Sequence, residues 1–155
     1  MSTLERAIVI AAEAHAGITD KAGAPYILHP LRMMMGLTSD EERIVAVLHD
    51  VCEDCPGWTF ERLRGDGFSE EILAALDSVT KREGEAYEEF VLRAAANPIG
   101  RRVKLADLRD NSDLSRITNP SVEDHERIAK YARAIELIRN SPESTVCALG
   151  LGLRR

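Results

Sequence analysis

Residues 39–54 read SDEERIVAVLHDVCED, a stretch typical of a mostly apolar helix that ends in charged residues. Ser39 with Glu42 three residues later forms a capping box, in which side chains and backbone N–H groups bond reciprocally at a helix start. Residues 44–48, IVAVL, supply the apolar body, and the helix is expected to continue to about Asp54. This helix therefore carries titratable side chains at its C-terminal end.

The rest of the chain also follows helical patterns. Ala, Leu, Glu and Arg, which are good helix formers, dominate, whereas aromatic residues make up only 5% and β-branched residues do not alternate with period 2. Caps, apolar spacing and Pro or Gly breaks predict further helices over about 2–16, 30–37, 59–64, 69–79, 85–96, 99–114 and 121–140. The first of these is expected to begin at a Ser2–Glu5 capping box. We therefore expect an all-α fold.

The composition restricts the class of protein. With 155 residues, 45% hydrophobic and 30% charged, the chain matches one ordinary globular domain that folds without needing a disulfide or a metal. The net charge of −6 argues against a broad nucleic-acid-binding face, which is normally basic. Nucleic acid is therefore not an expected partner. No apolar run approaches the roughly 18 residues of a membrane span, so a membrane is not an expected partner either.

Weaker signals concern the domain boundary, the compartment and the oligomeric state. We expect one domain over residues 1–140 and a C-terminal tail or interface segment over 141–155, where the periodicity is weak. An odd number of cysteines fits free thiols in a reducing cytoplasm better than a disulfide framework. Cys52 and Cys55 form a CxxC pair, for which packing residues are the simpler interpretation and a redox or zinc site is the alternative. The sequence leaves a homo-oligomer open.

The end of the quoted stretch concentrates four titratable side chains within six residues. His49 and Asp50 are adjacent, and Glu53 and Asp54 lie one helical turn beyond them. Clustered carboxylates around one imidazole repel one another, and a divalent cation would relieve the repulsion. The alternative is a solvated acidic helix C-terminus, which the helix dipole disfavours.

Two further elements carry residues of the same chemistry. Asp107 lies in VKLADLRDN (103–111), a partly apolar helix, with Asn111 one turn later. His29 precedes a helix-starting proline in PYILHPL (25–31), and taken alone it is more simply interpreted as a packed or capping histidine. Two imidazoles and two carboxylates would suit a borderline-hard ion such as Mn²⁺ or Fe²⁺ and leave positions open for water and substrate. The set comprises His29, His49, Asp50 and Asp107.

The order His, His-Asp, Asp resembles the HD-domain metal-dependent phosphohydrolases, an all-helical superfamily. The likeness is closest to the hydrolase domain of RelA/SpoT-type enzymes and their small single-domain relatives, and it covers about residues 3–140. It is carried by AHAG…KAGAPYILHP (14–30), HDVCED (49–54) and KLADLRDN (104–111). Those enzymes remove the 3′-pyrophosphate from guanosine tetra- and pentaphosphate with Mn²⁺. The resemblance therefore implies an HD-domain helical bundle, a bound Mn²⁺ and a small phosphorylated nucleotide as substrate.

The resemblance also implies roles for individual residues. The metal ligands would be His29, His49, Asp50 and Asp107. Glu53 and Asp54 match the acidic pair implicated in catalysis, where either could accept a proton from the attacking water. Lys21 and Asn111 match positions that contact the substrate. Because phosphate groups need cations, Lys104 is expected as a further substrate contact.

Two positions depart from the family pattern. Asp20 stands where family members usually carry an arginine that stacks on guanine, and an aspartate cannot stack a base and would repel phosphates. Leu114 stands three residues after Asn111, where the family often has a threonine. Both changes leave the metal chemistry intact and concern the choice of base. Two alternatives stay open: an HD-domain nucleotidase or phosphodiesterase of other specificity, and a nucleotide-sensing HD domain without turnover.

Overall fold

The all-α prediction is confirmed by a computed structural model, which describes residues 1–143. Its helices are α1 Leu4–Ala14, α2 Leu28–Met35, α3 Asp40–Leu48, α4 Val51–Asp54, α5 Phe60–Gly65, α6 Glu70–Ser78, α7 Tyr87–Ala96, α8 Pro98–Asn111 and α9 Val122–Asn140, with a 3-10 helix Leu114–Arg116 before α9. None of the helices described is long and apolar enough to cross a membrane. Of the predicted tail, residues 144–155 lie outside the described part of the chain.

Side-chain caps open both α1 and α3, but only the cap of α3 is the predicted one. The Ser39–Glu42 capping box opens α3 as predicted. The predicted Ser2–Glu5 box is wrong, because Thr3 is the N-cap of α1. The hydroxyl of Ser2 instead donates at 2.8 Å to the backbone carbonyl of Asp66, in the turn that follows α5. The N-terminus is thus attached to the α5–α6 connection.

Helix α3 lies at the centre of the fold. Residues 44–48 are all buried, and the helix packs against α1, α2, α6 and α8. Although α3 was predicted to reach Asp54, it ends before His49, and α4 follows as a separate turn. In a continuing helix the Ala46 carbonyl would accept the backbone N–H of Asp50. The ring Nδ1 of His49 bonds to that carbonyl instead, at 2.7 Å, so this side chain ends the helix.

Helix α8 connects two hydrophobic clusters. Val103 belongs to the main cluster with α1, α3 and α6, whereas Leu108 belongs to a smaller cluster with α7 and α9. Asp107, next to Leu108, therefore lies where the two clusters adjoin. The helix ends at Asn111, three residues before its predicted end, where the bonding changes: the backbone N–H of Asp113 bonds to the Asp110 carbonyl, three residues back, instead of four.

Gly100 lets α8 approach α6 and leads to a prediction on stability. A Cβ at this position would overlap Oγ of buried Ser78 and lie 3.2 Å from the carbonyl oxygen of Ala94. We expect Gly100→Ala to lower the free energy of unfolding by about 1–3 kcal/mol in urea denaturation, because packed helices must move apart. Gly65→Ala is the control, since nothing lies within 4 Å of a Cβ at position 65. Equal stability of the two variants would contradict the prediction.

Candidate active site

The four residues expected to bind metal converge from separate elements. Helix α2 carries His29, the break after α3 carries His49 and Asp50, and α8 carries Asp107. Nε2 of His29 lies 3.1 Å from Oδ1 of Asp107. Nε2 of His49 lies 2.9 Å from Oδ2 of Asp50 and 3.6 Å from Oδ1 of Asp107. One donor atom each from His29, His49 and Asp50 falls within 4.8 Å of the other two, a spacing that one ion can bridge.

The imidazole of His49 directs an unbonded nitrogen into this centre. Its Nδ1 donates to the carbonyl oxygen of Ala46 at 2.7 Å, so the neutral ring keeps its lone pair on Nε2. Among the described residues, buried Nε2 has no hydrogen-bond partner, although carboxylate oxygens of Asp50 and Asp107 lie near it. A lone pair facing carboxylate oxygens is unfavourable unless a proton or a metal cation lies between them. The donor set therefore fits a divalent cation.

The electrostatics of the centre also favour a cation. Burial lowers the pKa of His49, but the charges of Asp50 and Asp107 outweigh burial and raise that pKa well above its ordinary value. Burial raises the pKa of Asp107, but the ammonium of Lys104 together with the hydrogen bonds from His29 and His49 outweighs burial and holds that pKa well below its ordinary value. The carboxylates therefore stay ionised and stabilise positive charge at the imidazole nitrogens.

Two polar side chains hold the carboxylates of the centre. Lys104 is only 8% exposed, and its ammonium donates to Oδ2 of Asp107 at 3.0 Å and lies 4.6 Å from the centroid of the Phe90 ring. Tyr26 donates its hydroxyl to Oδ2 of Asp50. Lys104 is expected as a substrate contact from the sequence, and in the structure its ammonium is buried and paired with Asp107.

A cavity of about 440 Å³ opens beside the centre. Its walls include His29, Ile18, Lys21, Tyr26, Arg32, Asn111, Arg116, Ile117, Arg127 and Tyr131, together with the carboxylates of Asp20, Asp110 and Asp113. Lys21 and Asn111, two of the three expected substrate contacts, are thus in the wall. Cationic side chains beside apolar and aromatic ones suit a ligand with both an anionic and a flat apolar part.

Three cavity arginines were missed by sequence reasoning. Arg32 follows His29 by one turn of α2, so helical spacing alone places the two on the same side of the helix and could have identified it. Arg116 lies in the 3-10 helix and Arg127 in α9, and no spacing rule connects them. Their shared position depends on how the segment after α8 folds back.

The side chain of Asp20 forms hydrogen bonds with the backbone of its own loop. Its Oδ1 accepts the backbone N–H groups of Ala22 and Ala24, both at 2.9 Å. Gly23, between them, has a φ of 82°, which glycine adopts without strain. The backbone N–H groups offset the charge of Asp20, which reduces the phosphate repulsion expected from the sequence.

The expected catalytic pair lies on α4, at the edge of the centre. Glu53 and Asp54 are both exposed. Partial burial and the charge of Asp50 raise the pKa of each carboxyl above its ordinary value. Glu53 also lines an open concavity of about 530 Å³ formed with residues 81–86 of the α6–α7 loop. Both carboxylates therefore have the access to solvent that proton transfer requires.

The two cysteines near α4 have the character of packing residues. Burial raises the pKa of Cys52 to about 11. Burial also raises the pKa of Cys55, whose Sγ donates to the carbonyl of Ala14 at 3.3 Å. A redox-active or metal-binding thiol needs a lowered pKa. The structure therefore favours the packing interpretation over a redox or zinc site.

The chain is similar to several curated proteins over most of its length, although no protein-family model matches it. It is 33% identical over 120 residues to a guanosine-3′,5′-bis(diphosphate) 3′-pyrophosphohydrolase of Aquifex aeolicus, which covers 70% of this chain and 17% of that protein. It is 32% identical over 146 residues to a probable GTP pyrophosphokinase of Mycobacterium leprae, covering 86% of this chain and 18% of that protein. It is 32% identical over 121 residues to the bifunctional (p)ppGpp synthase/hydrolase SpoT of Escherichia coli, covering 70% of this chain and 17% of that protein. The chain thus spans less than a fifth of the length of each of these relatives.

Proposed function

The chain is related in sequence to the RelA/SpoT proteins, and from this premise we propose that residues 1–140 form a metal-dependent phosphohydrolase of the HD type. The proposed reaction is hydrolysis of the 3′-pyrophosphate ester of guanosine tetra- or pentaphosphate. The observation that carries the proposal is the convergence of two imidazoles and two carboxylates beside a cavity whose wall carries both basic and acidic side chains. We place the reaction in the cytoplasm, where the free thiols of Cys52 and Cys55 would stay reduced.

The metal site is assigned to the convergent histidines and aspartates. The proposed ligands are His29, His49, Asp50 and Asp107. Two nitrogen and two oxygen donors suit a borderline-hard divalent ion, and Mn²⁺ is the proposed one. When bound, such an ion supplies Lewis-acid activation of water and of a phosphoryl group. The unbonded Nε2 of His49 and the ionised carboxylate of Asp107 support this assignment.

Residues of the cavity bind and orient the substrate in this proposal. Lys21 and Asn111 contact it from opposite elements, the loop before α2 and the end of α8. Arg116 and Arg127 neutralise its phosphate groups from the remaining wall. Lys104 is reassigned from the substrate to the support of the metal ligand with which it pairs.

Proton transfer is assigned to the acidic residues of α4. Glu53 accepts a proton from the attacking water at its carboxylate, because it is exposed and its pKa is raised toward the range of an effective base. Asp54, its neighbour, keeps a negative charge beside it and helps to raise that pKa. Neither residue is among the proposed metal ligands, so their role can be tested separately.

Metal removal should lower thermal stability. A ligand that binds only the folded state adds about 2.7 kcal/mol at 100 times its Kd, which for a chain of this size corresponds to roughly 5–11 °C in Tm. We expect Mn²⁺ at that excess to raise the Tm of metal-free protein by this amount, as measured by calorimetry. Asp107→Asn is the control, and Mn²⁺ should not raise its Tm. An unchanged Tm of the wild-type protein would contradict the Mn²⁺ assignment.

A panel of nucleotides tests the proposed reaction. Mn²⁺-loaded protein is incubated with guanosine tetraphosphate, nucleoside monophosphates and cyclic dinucleotides, and the products are separated by ion-exchange chromatography. Pyrophosphate released from guanosine tetraphosphate is the expected result. Turnover of monophosphates or cyclic phosphodiesters alone would favour an HD-domain nucleotidase or phosphodiesterase. Nucleotide binding without any turnover would favour the nucleotide-sensing alternative.

A further inference from the structure

Asp110 stands one turn after Asp107 on α8 and contacts a proposed metal ligand from outside the centre. Its Oδ2 lies 2.7 Å from Nδ1 of His29. The side chains of His29 and Asp110 are 7% and 12% exposed, so water competes little for this contact. The two carboxylates of α8 therefore meet opposite nitrogens of the same imidazole, since Asp107 faces Nε2.

The contact with Asp110 determines which nitrogen of His29 carries the proton. An ionised carboxylate can only accept a hydrogen bond, so Nδ1 must donate, and in the neutral ring Nε2 keeps its lone pair. Nε2 is the nitrogen that faces the centre, 3.1 Å from Asp107. The carbonyl of Ala46 makes the equivalent bond to Nδ1 of His49. In both histidines a hydrogen bond at Nδ1, the nitrogen that points away from the centre, thus fixes the orientation of the ring.

Arg32 keeps the Asp110 carboxylate ionised and in one orientation. Its Nε donates to Oδ1 at 2.8 Å and its Nη2 to Oδ2 at 3.0 Å, which is a bidentate pair. Arg116 adds a longer contact to Oδ2, at 3.4 Å, and donates to the Asp110 carbonyl at 2.8 Å. Because Arg32 follows His29 by one turn of α2, the guanidinium and the imidazole reach the same carboxylate.

We propose that Asp110 is a positioning residue for the metal centre: it fixes the Nδ1–H tautomer and the ring orientation of His29, and Arg32 fixes Asp110. This role rests on the proposed function, because it concerns a proposed metal ligand. Carboxylates that accept from a metal-binding histidine typically contribute about 10–100-fold in metal affinity. We expect an effect of that size when Asp110 is removed.

The tautomer of His29 in metal-free protein provides the first test. The ¹⁵N shifts of Nδ1 and Nε2, recorded by NMR at a pH where the ring is neutral, should report the Nδ1–H tautomer in the wild type. Asp110→Ala should lose this preference, whereas the isosteric Asp110→Asn, whose amide oxygen can still accept, should keep part of it. An Nε2–H tautomer in the wild type, or an unchanged tautomer in Asp110→Ala, would overturn the proposal.

Mn²⁺ affinity provides the second test, followed through the electron paramagnetic resonance signal of the free ion. Asp110→Ala should bind Mn²⁺ about 10–100-fold more weakly than the wild type, and Asp110→Asn should lie between them. Asp77→Asn is the matched control, because Asp77 also contacts two arginines, Arg82 at 2.7 Å and Arg93 at 3.9 Å, away from the centre. Equal affinities of Asp110→Ala and the control would overturn the proposal. Failure of the wild type to bind Mn²⁺ would count against the proposed function, while the His29 tautomer would still decide the role of Asp110.

Discussion

An Asp107→Asn variant should bind Mn²⁺ more than about 100-fold more weakly than the wild type and lose hydrolysis with it, because a lost ligand costs more than a lost supporting residue. Oδ1 of Asp107 is the oxygen that approaches both imidazoles, at 3.1 Å from His29 and 3.6 Å from His49. Asparagine keeps the shape of the side chain and removes its charge. Titration with Mn²⁺ and product release from guanosine tetraphosphate, measured on the same samples, check both losses.

Stability measurements separate the loss of a ligand from the loss of the fold. Asp107 also pairs with buried Lys104, and removing one partner of a buried ion pair typically costs about 3–5 kcal/mol. The double variant Lys104→Met/Asp107→Asn removes both charges and should unfold closer to the wild type, yet still fail to bind Mn²⁺. Wild-type Mn²⁺ affinity in a folded Asp107→Asn or double variant would exclude Asp107 as a ligand.

The convergence of the proposed metal ligands could be predicted from sequence because each one stands in a short motif. His49 and Asp50 follow an apolar helix, and Asp107 lies on a second helix with its own apolar face. The helix boundaries at the same motifs could not be predicted as well. Apolar periodicity continued α3 past His49, whereas the bond from the His49 ring to the Ala46 carbonyl ends it there. Such a bond depends on a side-chain rotamer, which periodicity does not contain.

The ion-pair partners of the charged residues also could not be predicted from the sequence. The sequence predicts Lys104 as a substrate contact but does not reveal that it is buried and donates to Asp107. Helical spacing relates Arg32 to His29, and it relates Asp110 to Asp107, but it does not say that these faces of α2 and α8 meet. The contact between these faces depends on tertiary packing. The second layer of residues around the centre therefore emerges only from the structure.

Glu53→Gln should retain Mn²⁺ binding and slow hydrolysis by about 10²–10⁴-fold, the range expected when a general base is removed. Glu53 lies on α4, outside the proposed ligands, and partial burial with the charges of Asp50 and Asp54 raises its pKa. Glutamine matches the size of glutamate and cannot accept the proton. Measurement of kcat at saturating nucleotide, beside a Mn²⁺ titration, separates proton transfer from metal binding.

Asp54 supplies the decisive comparison for the assignment of the base, because its pKa is raised by the same burial and the same neighbour, Asp50. Asp54→Asn is therefore measured together with Glu53→Gln, and Glu61→Gln serves as the remote control, because Glu61 is exposed on α5. The assignment requires the largest loss of kcat in Glu53→Gln and wild-type kcat in Glu61→Gln. Wild-type kcat in Glu53→Gln with a large loss in Asp54→Asn would transfer the role to Asp54. Since both variants keep every proposed metal ligand, a Mn²⁺ titration of each variant beside its kcat separates an effect on turnover from an effect on metal binding.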